Sequence, residues 1–403
     1  MARRRSTLGL PADKETSPDV VADPVRFRSW LDAAFRTCPA LFPEGFAHGS
    51  RLKDGRTSRR TGVRLRRGRL TATGESSSVR PSFLLPYGAG TADETRGPLF
   101  LRAAGVPFRA LARAFGNGAM YWYRPEVSLG RNSVAGTTVR RAELPEHLLA
   151  DEHHQTRDGD KDYIATVVGR GCCLGAALSP TANADDLTTA YGAFKQGARD
   201  IKDGDRPRTV RADGRASPPQ AWRALFPLGV LLRCFRHGWL NLRRRGKRCA
   251  ASPELSAGVR EAYHAPDRRC FAERLRRVAE WARRQSLSAW RREQVEKLCG
   301  RSGESGVAYK HPGGHRTSNM PDRVMRSMNR YCEDGQPLHG SAEAWGLHVR
   351  AWAVLHNFRP WGPQAVRDNG GWRSPAERLN RHRYHDDWLQ NLLTSASLGG
   401  YRR

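Results

Sequence analysis

The run Thr209-Val210-Arg211-Ala212-Asp213-Gly214, followed by Gln220-Ala221-Trp222-Arg223-Ala224-Leu225-Phe226 and then by Val230-Leu231-Leu232-Arg233-Cys234-Phe235, decides how this chain reads. The first piece is a short strand ending on an acid. Pro218 or Pro219 opens a helix, because a proline in the first turn withholds only an N–H that has no intrahelical partner. The third piece is a second strand running into Cys234, with His237 three residues beyond it.

Working upstream, Leu148-Leu149-Ala150 predicts a strand that delivers Asp151, and residues 163–168 and 172–178 predict the next two, joined by Gly169-Arg170-Gly171. Three β-type runs with short turns make an antiparallel meander. Residues 184–199 then carry Leu187, Ala190, Tyr191 and Phe194 on one helical face. Three strands, a helix, a strand, a helix and a strand, with acids at the first and fourth strands, is the order of an RNase H-like core. The expected fold class is therefore α/β (α+β), a mixed sheet flanked by helices, with residues 146–240 forming the first part of the core.

The last core helix comes late. Residues 241–314 are helical in pattern and basic, with Phe271, Leu275, Val278 and Trp281 on one face, and predict an all-α insertion. Pro321-Asp322-Arg323-Val324 then starts a helix, with an acid near its positive end. Residues 315–403 are expected to hold this helix and a C-terminal helical region. Asp151, Asp213 and Asp322 thus lie on separate elements, the pattern of a two-metal phosphoryl-transfer site. Hard cations such as Mg²⁺ or Mn²⁺ take carboxylate oxygens. Two of them, about 3.5–4 Å apart, activate an attacking oxygen and stabilise a leaving one. Glu152, Asp158, Asp160 and Asp162 lie near Asp151 and compete with it as the first ligand. Cys234 and His237 read as structural or DNA-orienting residues.

Composition points to the partner. Lys and Arg number 69 against 40 Asp and Glu, a formal charge of +29 over 403 residues. A polyanion is the natural match, since each phosphate neutralised releases condensed counterions. No apolar stretch approaches the roughly 20 residues that span a bilayer, and the basic start Met1-Ala2-Arg3-Arg4-Arg5 leads into no apolar signal region. A cytoplasmic, nucleoid-associated location with no membrane partner is expected. The 8 cysteines are scattered and form neither a disulfide framework nor a zinc ribbon.

The N-terminal part is expected to hold a flexible basic arm (1–24) and a DNA-binding region (25–145) with a short helix near 27–35. Residues 51–69 alternate basic and small residues and read as a solvated basic loop, with a phosphate-tracking arm as the sharper alternative. Within 99–127, Phe108, Leu111, Ala112 and Phe115 share a helical face before Gly116-Asn117-Gly118, and a second apolar turn follows. Ala112, Gly116 and Trp122 suit a helix-turn-helix as well as an ordinary helical hairpin. Arg109, Arg113 and Arg124 flank the pair and suit phosphates.

From Leu148 onward the chain resembles DDE transposases of the Mutator-like and related bacterial insertion-sequence type. The resemblance rests on Asp213-Gly214, Phe226-Pro227, Cys234-x-x-His237 and Thr317…Asn319-x-x-Asp322, with Asn357-Phe358-Arg359-Pro360 and Ser374-Pro375-Ala376-Glu377-Arg378 in the tail. That family usually carries Glu where Asp322 stands. The resemblance implies a transposase that binds double-stranded DNA at element ends as a homo-oligomer. The resemblance further implies that water first attacks the phosphodiester and that the freed 3′-OH then attacks target DNA, with Asp151, Asp213 and Asp322 as the ligands of two Mg²⁺ or Mn²⁺ ions. The alternative is a catalytically decayed, basic DNA-binding protein on the same scaffold. A nuclease that cuts without joining shares the acids.

Overall fold

The computed structural model describes the chain except residues 1–6, 60, 89, 158–159, 203, 205, 213–215, 236–237, 240–241, 243–251, 315–318, 335–340 and 402–403. Two mixed sheets with helices around them make an α+β architecture.

The N-terminal sheet contains β1 (Thr7–Leu10), β2 (Ser50–Thr57), β3 (Arg64–Leu70) and β4 (Ser76–Pro81) in the order β1-β4-β3-β2. β1 runs parallel to β4, and the other pairs are antiparallel. α1 (Ser17–Ala22) and α2 (Pro24–Thr37) lie against it, with Leu8, Leu10, Phe27, Leu31, Leu70 and Val79 in the shared core. Two expectations are corrected here. Residues 7–22 are not a loose arm, because Leu8 and Leu10 bury against α2. Residues 51–69 are not a solvated loop but the β2–β3 hairpin. An arginine does the burying that a count of apolar residues misses: the Arg66 guanidinium donates to Val21 O at 2.5 Å and Ala22 O at 2.6 Å, and lies over the Phe27 ring.

A helical layer follows: α3 (Ala92–Ala103), α4 (Phe108–Phe115), α5 (Ala119–Leu129) and α6 (Val134–Thr138). Thr91 and Glu94 form a reciprocal capping box on α3. Between α4 and α5 the chain turns on Gly116 (φ 75°) and Asn117 (φ 60°), the two residue types that take this left-handed backbone most readily.

The central sheet comprises β5 (His147–Arg157), β6 (Asp160–Gly169), β7 (Cys172–Ser179), β8 (Thr209–Ala212) and β9 (Val230–Arg233), ordered β7-β6-β5-β8-β9. β5, β6 and β7 form the antiparallel meander; β8 is parallel to β5, and β9 to β8. α7 (Ala184–Arg199) and α8 (Ser217–Leu225) supply the crossovers and cover one face, with Leu148, Ala150, Val167, Tyr191, Phe194 and Trp222 in that core. Successive strand side chains alternate faces, so Leu149, Ile164 and Val168 pack on the other side.

Between β9 and the next core helix lie α9 (Ser252–Tyr263), α10 (Arg268–Arg284), α11 (Ala289–Gly300) and α12 (Ser302–Ser305). They share a separate core in which Val259, Phe271, Leu275, Val278 and Val295 are buried. The remaining helices are α13 (Asn319–Asp334), α14 (Ala342–Phe358), α15 (Pro363–Asp368), α16 (Pro375–Asn380) and α17 (Trp388–Ser395). α13 and α14 cover the Leu149 face, where Val324, Met325, Met328, Trp352 and Leu355 are buried. The buried turn Ser397–Gly400 closes against the first strand, with Ser397 Oγ accepting from Gly9 N–H at 3.0 Å and donating to Leu41 O at 2.7 Å. Among the described residues no helix is long and apolar enough to cross a membrane.

Candidate active site

The site is built from β5 outward. Leu148 and Ala150 point into the α7–α8 core and Leu149 into the α13–α14 core. Strand alternation therefore puts Asp151 on the face that α13 and α14 cover. Asp151 is half-buried, and its Oδ1 accepts the Glu152 N–H at 3.0 Å. The parallel neighbour is registered Leu148 to Val210 and Leu149 to Arg211, and its last residue, Ala212, immediately precedes Asp213. α13 lays Val324, Met325 and Met328 into the same core as Leu149, and its opening turn includes position 322. Asp213, His237 and the side chain of Asp322 lie outside the described residues. β8 pairs with β5 in the sheet, and α13 packs on the face of β5 that carries Asp151.

The acids that compete with Asp151 separate by environment. Glu152 points to the opposite face, where the buried Tyr191 hydroxyl donates to its Oε1. Burial, and then the adjacent Glu152 charge, push the Tyr191 hydroxyl well above its ordinary pKa, so Tyr191 remains a donor that fixes Glu152. Asp162 is buried and sits opposite Gln155, four residues from Asp151 and so roughly 13 Å along the strand. Asp158 and the side chain of Asp160 lie outside the described residues.

His153, the next residue on the face of Asp151, was not anticipated. Burial, and then His154, lower its pKa to about 4, so its ring is neutral near pH 7 and its Nε2 lies 2.6 Å from Gln155 Nε2. Cys234 is buried immediately after β9, the environment of a packed thiol.

A second buried polar cluster was not legible in the sequence. Glu126 on α5 receives Arg102 of α3 (Nε to Oε2, 2.8 Å), His348 of α14 (Nδ1 to Oε1, 2.5 Å) and the hydroxyl of Tyr331 on α13. The Arg102 guanidinium also lies over the Tyr331 ring, 4.1 Å from its centroid. Four helices, α13 among them, are joined by this one carboxylate. Single charged residues on otherwise apolar helical faces were the only sign of it, and sequence spacing does not reveal partners more than 200 positions apart.

Arg109, Arg113 and Arg124 are all exposed on α4 and α5. Phe115 and Met120 are exposed beside them, while Trp122 is buried with its indole N–H donating to Gly116 O at 2.9 Å. Among the described residues no three His, Cys, Asp or Glu side chains are grouped to hold a metal ion, and Asp213 and the Asp322 carboxylate are not among them. No protein-family model matches the chain, and no curated protein matches it.

Proposed function

We propose that the chain is a DDE-type transposase that binds the DNA ends of a mobile element and cleaves and joins phosphodiesters at carboxylates on an RNase H-like sheet. The observation that carries this reading is the central sheet. Its middle strand bears Asp151, an antiparallel pair lies on one side, and on the other lies a parallel strand ending one residue before Asp213. α13, with position 322 in its first turn, packs on the Asp151 face. The separately packed helices α9 to α12 fit an insertion that lengthens the last connection without entering the sheet. The charge of +29 supports a polyanionic substrate.

Asp151 fits the donor type that Mg²⁺ or Mn²⁺ requires, a half-buried carboxylate with hard oxygens. Asp213 and Asp322 would complete the set. Two such ions, when bound, activate the attacking oxygen and stabilise the leaving one. The chain's own task is to hold carboxylates close together despite their mutual repulsion and to orient the phosphate with basic surface. Arg109, Arg113 and Arg124 are the proposed DNA-binding residues on α4 and α5.

The test is strand cleavage and joining by the purified protein, using DNA from both sides of its own gene. Mg²⁺ or Mn²⁺ is added and then removed with EDTA. Joining is expected in wild type and in Glu152→Gln, and is expected to vanish in Asp151→Asn and Asp213→Asn while DNA binding persists. Tight binding without cleavage in any metal sinks the enzymatic reading in favour of the decayed DNA-binding scaffold. Cleavage without joining moves it to a nuclease.

A further inference from the structure

The β2–β3 hairpin is the most one-sidedly charged element of the described chain. Between residues 51 and 69 stand nine basic residues and one acid, Asp54, and that acid is already engaged by Arg67. Arg66 turns inward under α1 and is used in the fold. Arg51, Lys53, Arg56, Arg59 and Arg64 remain exposed, and none of them has an ion pair among the described residues. β2 is the edge of its sheet, and one or two charges suffice to block edge-to-edge pairing. This ribbon goes much further. Arg51 stands directly opposite Arg69 in the ladder, a like-charge pair that destabilises a hairpin unless an anion lies against it. A bulge between Leu52 and Asp54 adds twist, and a twisted two-stranded ribbon is a shape that the major groove, about 12 Å wide, admits.

We propose that the outer face of the β2–β3 ribbon docks on double-stranded DNA, gripping phosphates through Arg51, Lys53 and Arg56 separately from the α4–α5 surface. This rests on the chain acting on DNA and is independent of its catalysis. The docking is sequence-tolerant, because these side chains are long, exposed cations on a regular strand and not a set of fixed base-reading amides.

The experiment measures binding of the full chain to a duplex of arbitrary sequence, by fluorescence anisotropy across a salt series. The proteins are wild type, a triple variant (Arg51→Gln, Lys53→Gln, Arg56→Gln) and a charge-keeping variant (Arg51→Lys, Arg56→Lys). The slope of log affinity against log salt becomes shallower by about 0.9 for each phosphate no longer neutralised, about 2.7 for the triple variant, and is unchanged in the lysine variant. Where the triple variant does not fold, Lys53→Glu at the solvent-facing bulge serves instead, with the slope shallower by about 1 or more. An unchanged slope in the glutamine variant overturns the proposal and leaves the function reading standing. Failure of wild type to bind duplex at low salt overturns both. Loss of binding to anionic phospholipid vesicles with duplex binding intact overturns the proposal in favour of a membrane surface.

Discussion

At the scale of single residues, Glu126 has the most at stake. Its carboxylate is fully buried. Burial alone would raise its pKa, yet Arg102, then His348 and Tyr331, hold it below its ordinary value of 4.5. A group depressed in the folded state contributes stability that is complete above the unfolded pKa and is lost as pH falls through the folded one. Wild type is therefore expected to lose stability on acidification below about 4.5, read as a falling denaturation midpoint, and Glu126→Gln flattens that part of the profile. At neutral pH the same substitution leaves the buried Arg102 uncompensated and costs about 3–5 kcal/mol, measurable by urea unfolding. An unchanged midpoint would show that Arg102 finds water or another partner. Because α13 carries Tyr331 as well as position 322, the loss is expected to reach the proposed DNA cleavage too.

At the scale of elements, α14 is closely approached at Gly130, the residue that follows α5. A Cβ on Gly130 would lie 1.8 Å from Leu347 O, and the Gly130 carbonyl accepts from Arg350 Nε at 2.8 Å. Gly130→Ala must push the helices apart, at a cost of at least about 1–3 kcal/mol, and a lowered thermal midpoint checks it; an unaltered midpoint means that the helices slide freely. A second device guards the edge of the central sheet. Asn357 of α14 accepts from Cys173 N at 2.8 Å and donates to Cys173 O at 2.7 Å, pairing the backbone of edge strand β7 as a neighbouring strand would. The strands of the central sheet and α7 were legible because their apolar residues keep one period between clear turn signals, so residues 184–199 and 209–212 match their elements to the residue. The N-terminal sheet was not, because its strand positions hold arginines whose burial depends on carbonyls of another element. Strand order was not legible, since no local pattern states which strand pairs with which. Asp151 was expected where a strand through residues 148–150 ends, but β5 runs on from His147 to Arg157 and carries it mid-strand, because the polar residues that follow it still pair with β6.

At the scale of the whole molecule, Arg140 joins three parts of the chain. It is buried, and its guanidinium donates to Ser395 O at 2.6 Å, Ala40 O at 3.2 Å and Ser397 O. Its backbone N–H donates to Asn380 Oδ1 at 2.9 Å. Arg140→Met leaves these buried carbonyls without their charged donor. At about 1.5–3 kcal/mol for a hydrogen bond to a charged group, the substitution is expected to lower global stability by roughly 3 kcal/mol or more. Hydrogen exchange gives the sharper check. Protection is expected to fall together around Ala40, in α17 and in the Ser397–Gly400 turn, because one side chain ties them; a fall confined to α17 would show that the N-terminal segment stands alone.

The pairing of Gly9 with Ser397 across 388 positions also has a meaning in time. A ribosome adding about 5–20 residues per second needs roughly 20–80 s to make the span between them. For that whole interval the Gly9 N–H waits for a hydroxyl that has not been synthesised. The N-terminal sheet can pair early, but its final hydrogen bonds form only after the tail emerges from the exit tunnel. Any message cut short upstream of Ser397 therefore yields a chain whose beginning, and not merely its end, is left unfinished.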